Sequence, residues 1–130
     1  MSISITTPAS SLRRTTIVVG VVGAAATTAL AAAIRAAGVH LAAHGEIPLA
    51  GFAQFTVAGA VLGGLLVAVL NRRSAVPRRR FMQTVVTLTA VSCLAPIASG
   101  DDLSSKIGLV ATHLFAAAII VPVLARQITD

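Results

Sequence analysis

Charge is scarce in this chain: only 11% of its 130 residues are charged, with four acidic side chains among them. A soluble domain carries about 25% charged residues on its surface, so this chain cannot cover a water-facing exterior in the ordinary way. Tryptophan and tyrosine are missing altogether, and phenylalanine occurs four times, which removes both an aromatic belt at a membrane surface and an aromatic platform for stacking bases. Cysteine occurs once, at Cys93, so no intramolecular disulfide can form. Quinone-linked thiol oxidoreductases, which need cysteine pairs, are excluded with it.

What fills the chain is aliphatic. Hydrophobic residues make up 56% of it and the mean hydropathy is +0.92. Four charge-free stretches carry this excess: Thr15–Ile34, Leu49–Leu70, Phe81–Ser99 and Ile107–Ala125. Each is close to the roughly 20 residues that cross a ~30 Å hydrocarbon core as a helix. The apolar residues run without period-two alternation, which argues against the strands of a barrel. The expected fold is therefore all-α, a bundle of four transmembrane helices at about 15–37, 49–70, 81–99 and 107–125. They form one domain over 13–130, behind a flexible Ser/Thr-rich tail at 1–12. The start, SLRRTTIVVGVVGAAATTALAAA, has the arginine pair and A-x-A spacing of a secretory signal. Its apolar run exceeds the 7–15 residues of a signal core, so an uncleaved first span is expected.

Basic residues set an expected orientation. Arg13, Arg14, Arg72, Arg73, Arg78, Arg79, Arg80 and Arg126 fall on one side of these spans, and only Arg35 and Lys106 on the other. The positive-inside rule puts the arginine-rich side, with both termini, in the cytoplasm of a multi-pass plasma-membrane protein. The loop NRRSAVPRRR also suits contact of Arg72–Arg80 with anionic headgroups. Pro77 and the lack of interleaved aromatics speak against nucleic acid.

The polar residues then sort by depth. His113, Ser92, Thr89 and Thr56 all fall in the outer half of their spans, about 8–15 Å in at ~1.5 Å per residue, and form a candidate intramembrane polar site. His113 leads, because an ionisable side chain within a span usually faces the bundle interior or water. No intramembrane carboxylate accompanies it, which favours a neutral histidine hydrogen-bonded to Thr89 or Ser92 over a proton relay. A second group, Arg35, His40, His44, Glu46, Asp101 and Asp102, forms a candidate external rim. The i,i+4 spacing of His40 and His44 would put both on one face if that loop were helical. Without a fourth ligand the expected metal set is none, and no cofactor is expected. Gly59 and Gly63 form a GxxxG pair suited to close helix packing, within one chain or between copies. Pro96 and Pro122 fall inside the third and fourth spans.

Taken together, the four short spans, the stretch LRRTTIVV, the arginine-rich central loop and the ending THLFAAAIIVPVLAR (Thr112–Arg126) resemble the small four-helix membrane proteins of unknown function found in actinobacteria. The resemblance implies this architecture and location, with His113 and Pro122–Arg126 in the last helix, and brings no activity. Small multidrug exporters need a glutamate in the first span, which this chain lacks. Small fluoride channels have little charge bias, and here it is strong. The expected role is a non-enzymatic accessory or packing component with a protein or homo-oligomeric partner. The alternative is a small transporter or channel using the polar layer around His113.

Overall fold

The computed structural model describes residues 9–99 and 101–129. It contains four helices, α1 (Ala9–Ala36), α2 (Leu49–Arg73), α3 (Pro77–Ser99) and α4 (Leu103–Ala125), each long and apolar enough to cross a membrane. Among the described residues no strand forms, and the sole β-type pairing is an isolated bridge between Ala42 and Glu46. Backbone N–H groups beyond the first turn of each helix are thereby satisfied within that helix, as hydrocarbon demands.

The helices outrun the apolar stretches, and they do so mainly at the arginine-rich end. α2 continues through Arg72 and Arg73, α3 begins at Pro77, and α1 begins at Ala9. Arginine is a good helix former whose long stem reaches the interface, so charge does not end a helix there as it ends a hydropathy window. Of the expected 1–12 tail, Ala9–Leu12 are helical, with Leu12 packed on the core and its carbonyl accepting from the Thr16 hydroxyl at 2.8 Å; residues 1–8 lie outside the described residues. α2 and α3 are joined by Ser74–Val76 alone, pinned where Ser74 Oγ accepts the Val76 N–H at 3.2 Å. Pro96 and Pro122 both lie inside continuous helices.

α1 packs most extensively on α2 and then on α4; α3 lies along α4 and touches α2 less, and α1 and α3 do not meet. The α1–α2 seam is built from small residues. Thr56, Ala60, Gly64 and Val67 form one buried stripe of α2 at intervals of four, four and three, and face Thr16, Gly20 and Gly23 of α1. A Cβ on Gly64 would sit 2.7 Å from Thr16 Cγ2, so only glycine admits this approach. The expected pair Gly59 and Gly63 lies beside this stripe. A Cβ on Gly59 would meet nothing within 4 Å, and one on Gly63 would meet Leu124 of α4 at 2.7 Å. The spacing of four is therefore right, but the seam runs through the neighbouring register, where Ala60 and threonine are small enough to serve.

Two apolar clusters stack along the bundle. One joins Val19, Ala60, Val67, Phe81, Ile120, Leu124 and Ile128 toward the arginine-rich end. The other joins Ala31, Leu41, Phe52 and Leu109 at the opposite end. Large side chains on the outside, such as Phe55 and Leu62, stay exposed at 77% and 67%, as lipid-facing residues should.

Candidate functional site

At the end opposite the arginines, the link 37–48 folds into a cap. α1 ends at Ala36, the chain turns through Gly38 (φ 91°), and a tight turn at His44 (φ 57°) and Gly45 (φ 125°) brings Ala42 back against Glu46. This segment is not helical, so the i,i+4 spacing of His40 and His44 does not put them on a common helical face, and both are exposed. Leu41, between them, points the other way. It is 0% exposed and fills the space over Gly108, whose hypothetical Cβ would lie 2.6 Å from Leu41 Cδ2.

Hydrogen bonds fix the cap to the α3–α4 turn. Asp101 N–H donates to the Ala42 carbonyl at 3.2 Å, His44 N–H donates to Asp101 Oδ1 at 2.9 Å, and the buried Ser105 hydroxyl donates to the His40 carbonyl. Asp102 caps α4, accepting from Ser105 N–H at 3.2 Å and from the Ser104 hydroxyl. Hydrogen bonds from the Ser104 hydroxyl and the Ser105 backbone N–H favour its ionised form and hold its carboxyl below the usual carboxylate range. Arg35, in the last turn of α1, pairs with Glu46 at 3.6 Å, an interaction worth about 0–1 kcal/mol at a wet surface. The expected rim residues thus do gather around one cap, with Glu46 as the partner of Arg35 and Asp101 engaged by backbone. Among the described residues, no three His, Cys, Asp or Glu side chains converge as a metal-binding group.

The intramembrane residues are arranged differently. Thr56 and Thr112 are buried, and each hydroxyl donates to a carbonyl of its own helix, Thr56 to Phe52 at 2.6 Å and Thr112 to Leu109 at 2.8 Å. The hydroxyls of Thr27 and Thr28 are buried without a partner among the described residues. His113 is half-buried on the stripe of α4 that also carries Leu109 and Leu124. Thr89 is half-buried on α3, and Ser92 is exposed. No hydrogen bond joins His113 to either of them among the described residues.

The reason lies in α3. Ser92 follows Phe81 by eleven residues, three turns on and on the same stripe, yet Phe81 is fully buried and Ser92 is exposed. Leu88, on that side, is also exposed. Only Pro77 and Phe81 of α3 are buried; beyond them the helix keeps to α4 through a half-buried stripe that includes Val85, Thr89 and Cys93, and turns Leu88 and Ser92 outward. The depth count placed these polar groups in one layer, but the rotation of α3 about its own axis decides which of them face a neighbour.

Three further residues that hold the bundle and its cap together carry weaker marks in the sequence. Asn71 donates from Nδ2 to the Gln127 carbonyl at 3.1 Å and accepts the Thr129 N–H at 3.0 Å, folding the end of the chain beneath the bundle so that Ile128 joins the core. Its signal was a lone carboxamide at the end of an apolar run. Asp102-Leu-Ser-Ser carried the capping signal for α4. Leu41 had none beyond being apolar in a polar loop.

A protein-family model described as "Family of unknown function (DUF6069)" matches residues 7–130. No curated protein and no solved structure matches the chain.

Proposed function

This chain belongs to the DUF6069 family of unknown function, and from that premise we propose that it is a non-enzymatic accessory component of a plasma membrane, built to pack against another membrane protein through α3. One observation carries this reading. α3 buries only Pro77 and Phe81, while Gln83 and Thr87, one turn apart on the side away from the bundle, are exposed at membrane depth. A carboxamide and a hydroxyl on the outward face of the first turns of a span suit hydrogen bonding to a neighbouring transmembrane helix. Two polar side chains of the interior support the reading from the opposite direction, since Thr56 and Thr112 spend their hydroxyls on their own helices.

In this proposal the arginine-rich end and both termini are cytoplasmic and the 37–48 cap faces out, as the charge bias of an actinobacterial membrane protein would dictate. Cysteines introduced at Ser74 and Ser104 should then react with an impermeant reagent from opposite faces, and labelling of Ser74→Cys in intact cells refutes the orientation. The partner is tested by photocrosslinking from positions 83 and 87 in native membranes, with Val22 and Phe55 as lipid-facing controls. A discrete protein adduct from 83 and 87 alone is expected; lipid adducts from all four positions would sink the accessory role.

A second reading has its own observation. His113, with no hydrogen bond among the described residues, and the unpartnered hydroxyls of Thr27 and Thr28 leave polar groups free within the span, as a transport path would. His113→Gln keeps a polar side chain but cannot carry a proton. A pH-dependent flux in proteoliposomes that the parent shows and a stably folded His113→Gln protein has lost would establish transport over the accessory role.

A further inference from the structure

The arginine-rich end carries a groove that the accessory reading does not use. It has a volume of about 510 Å³ and is lined by Ala75, Val76, Arg78, Arg79 and Met82, where the three-residue link turns into α3. Arg72, Arg73 and Arg80, all exposed, flank its lining residues in the sequence, and no acidic side chain accompanies them between Asn71 and Ser99. Because the link is so short, these guanidinium groups are held within a turn of two apolar helices, at the level where a bilayer presents its phosphates.

The groove is also continuous with an apolar track. Arg79, Met82, Val86 and Ala90 follow one another at intervals of three, four and four, so they lie on one stripe of α3. Met82 is 38% exposed and Val86 61%, and Ala90 is exposed. This stripe lies about 100° round the helix from Gln83 and Thr87, so the two surfaces are separate.

The geometry points to a binding site for one molecule of anionic phospholipid. Its phosphodiester is held between Arg78 and Arg79, and an acyl chain lies along Met82, Val86 and Ala90. Charge complementarity selects an anion, and arginine offers the paired donors that match phosphate oxygens. The apolar track selects a lipid over a soluble phosphate, because an acyl chain there stays in hydrocarbon while its headgroup meets the arginines. The site is independent of the partner proposed for Gln83 and Thr87.

Native mass spectrometry of the detergent-purified full chain tests it, with phosphatidylglycerol and phosphatidylcholine of equal chain length as probes. Phosphatidylglycerol should be retained in preference. The preference should fall at least about tenfold in Arg78→Gln/Arg79→Gln, the loss expected when charge-assisted hydrogen bonds to one bound phosphate are removed. The control Arg13→Gln/Arg14→Gln, with the same change of charge, should keep it. Both pairs are exposed, and unchanged melting temperatures will establish that both variants are folded. Equal retention of the two lipids by the parent, or an equal loss in the control pair, overturns the proposal. Displacement of phosphatidylglycerol by millimolar inorganic phosphate would reassign the groove to a soluble anion, and displacement by a short oligonucleotide would reassign it to nucleic acid; either refutes the lipid site.

Discussion

Leu41→Ala and Gly108→Ala should couple, because the buried leucine of the cap is seated directly on that glycine. Leu41 is 0% exposed, and its neighbours in the same cluster are Ala31, Phe52 and Leu109, with Ile34 and Val39 beside them. Truncation to alanine removes three carbons from a site that the anchored ends of three helices prevent from collapsing. The transfer term alone is about 2.4 kcal/mol at ~0.8 kcal/mol per carbon, and the residual cavity raises the cost to about 3 kcal/mol. Gly108→Ala combines two opposed effects. Alanine in a helix interior gains about 1 kcal/mol over glycine, whereas a Cβ 2.6 Å from Leu41 Cδ2 overpacks the contact at about 1–3 kcal/mol. Ile34 Cγ2 and Val39 Cγ1, both at 3.6 Å from that Cβ, leave it little room to escape. The single change should therefore cost about 0–2 kcal/mol. In the Leu41→Ala background the clash is gone, the propensity gain remains, and Gly108→Ala should stabilise by about 1 kcal/mol. The double-mutant cycle, measured by reversible unfolding in a mild detergent, should give a coupling of about 1–3 kcal/mol. Additivity within about 0.5 kcal/mol would mean that Leu41 does not rest on Gly108, and the cap would have to be held by its hydrogen bonds alone.

Asn71→Ala removes both hydrogen bonds that hold Gln127 and Thr129, and should cost about 1–3 kcal/mol while speeding amide exchange over 126–129; protection there equal to the parent's would show that Ile128 alone anchors the tail. Asp102 has its carboxyl held low by Ser104 and Ser105, so its contribution is present above the usual carboxylate range and is lost as pH falls through the depressed value. The parent should accordingly lose stability on acidification more steeply than Asp102→Asn, which keeps an N-cap acceptor without titrating, and parallel pH profiles of the two melting temperatures would contradict this. Gly64→Leu should disrupt the α1–α2 seam and unfold the protein in detergent, whereas Gly59→Leu, with open space around it, should change stability by less than about 0.5 kcal/mol; the reverse order would put the seam back on the GxxxG register.

The number of spans, their approximate limits and the charge asymmetry between the two ends were legible in the sequence, because bilayer thickness and the cost of unpaired backbone in lipid act on composition over about 20 residues and need no knowledge of neighbours. The lateral order of the helices was not legible, and with it went the register of the close contact. Hydrocarbon surrounds every helix with the same apolar medium that the bundle offers inside, so an apolar residue on α2 carries no mark of whether it faces α1 or lipid. Small residues recur at Gly59, Ala60, Gly63 and Gly64, and only the position of Thr16 on the facing helix decides that Gly64 is the contact. The same limit applied to His113, Thr89 and Ser92: counting from helix ends gave their depth, while the rotation of α3 about its own axis, which leaves Ser92 exposed and Thr89 half-buried, decided which of them face a neighbour. Where water is the solvent the sequence was more informative, since Asp102 announces the start of α4 by its hydrogen-bonding chemistry. The seating of Leu41 depended on Gly108, 67 residues further along the chain, meeting it, and pairings across that separation are decided by packing, not by any local preference of the chain.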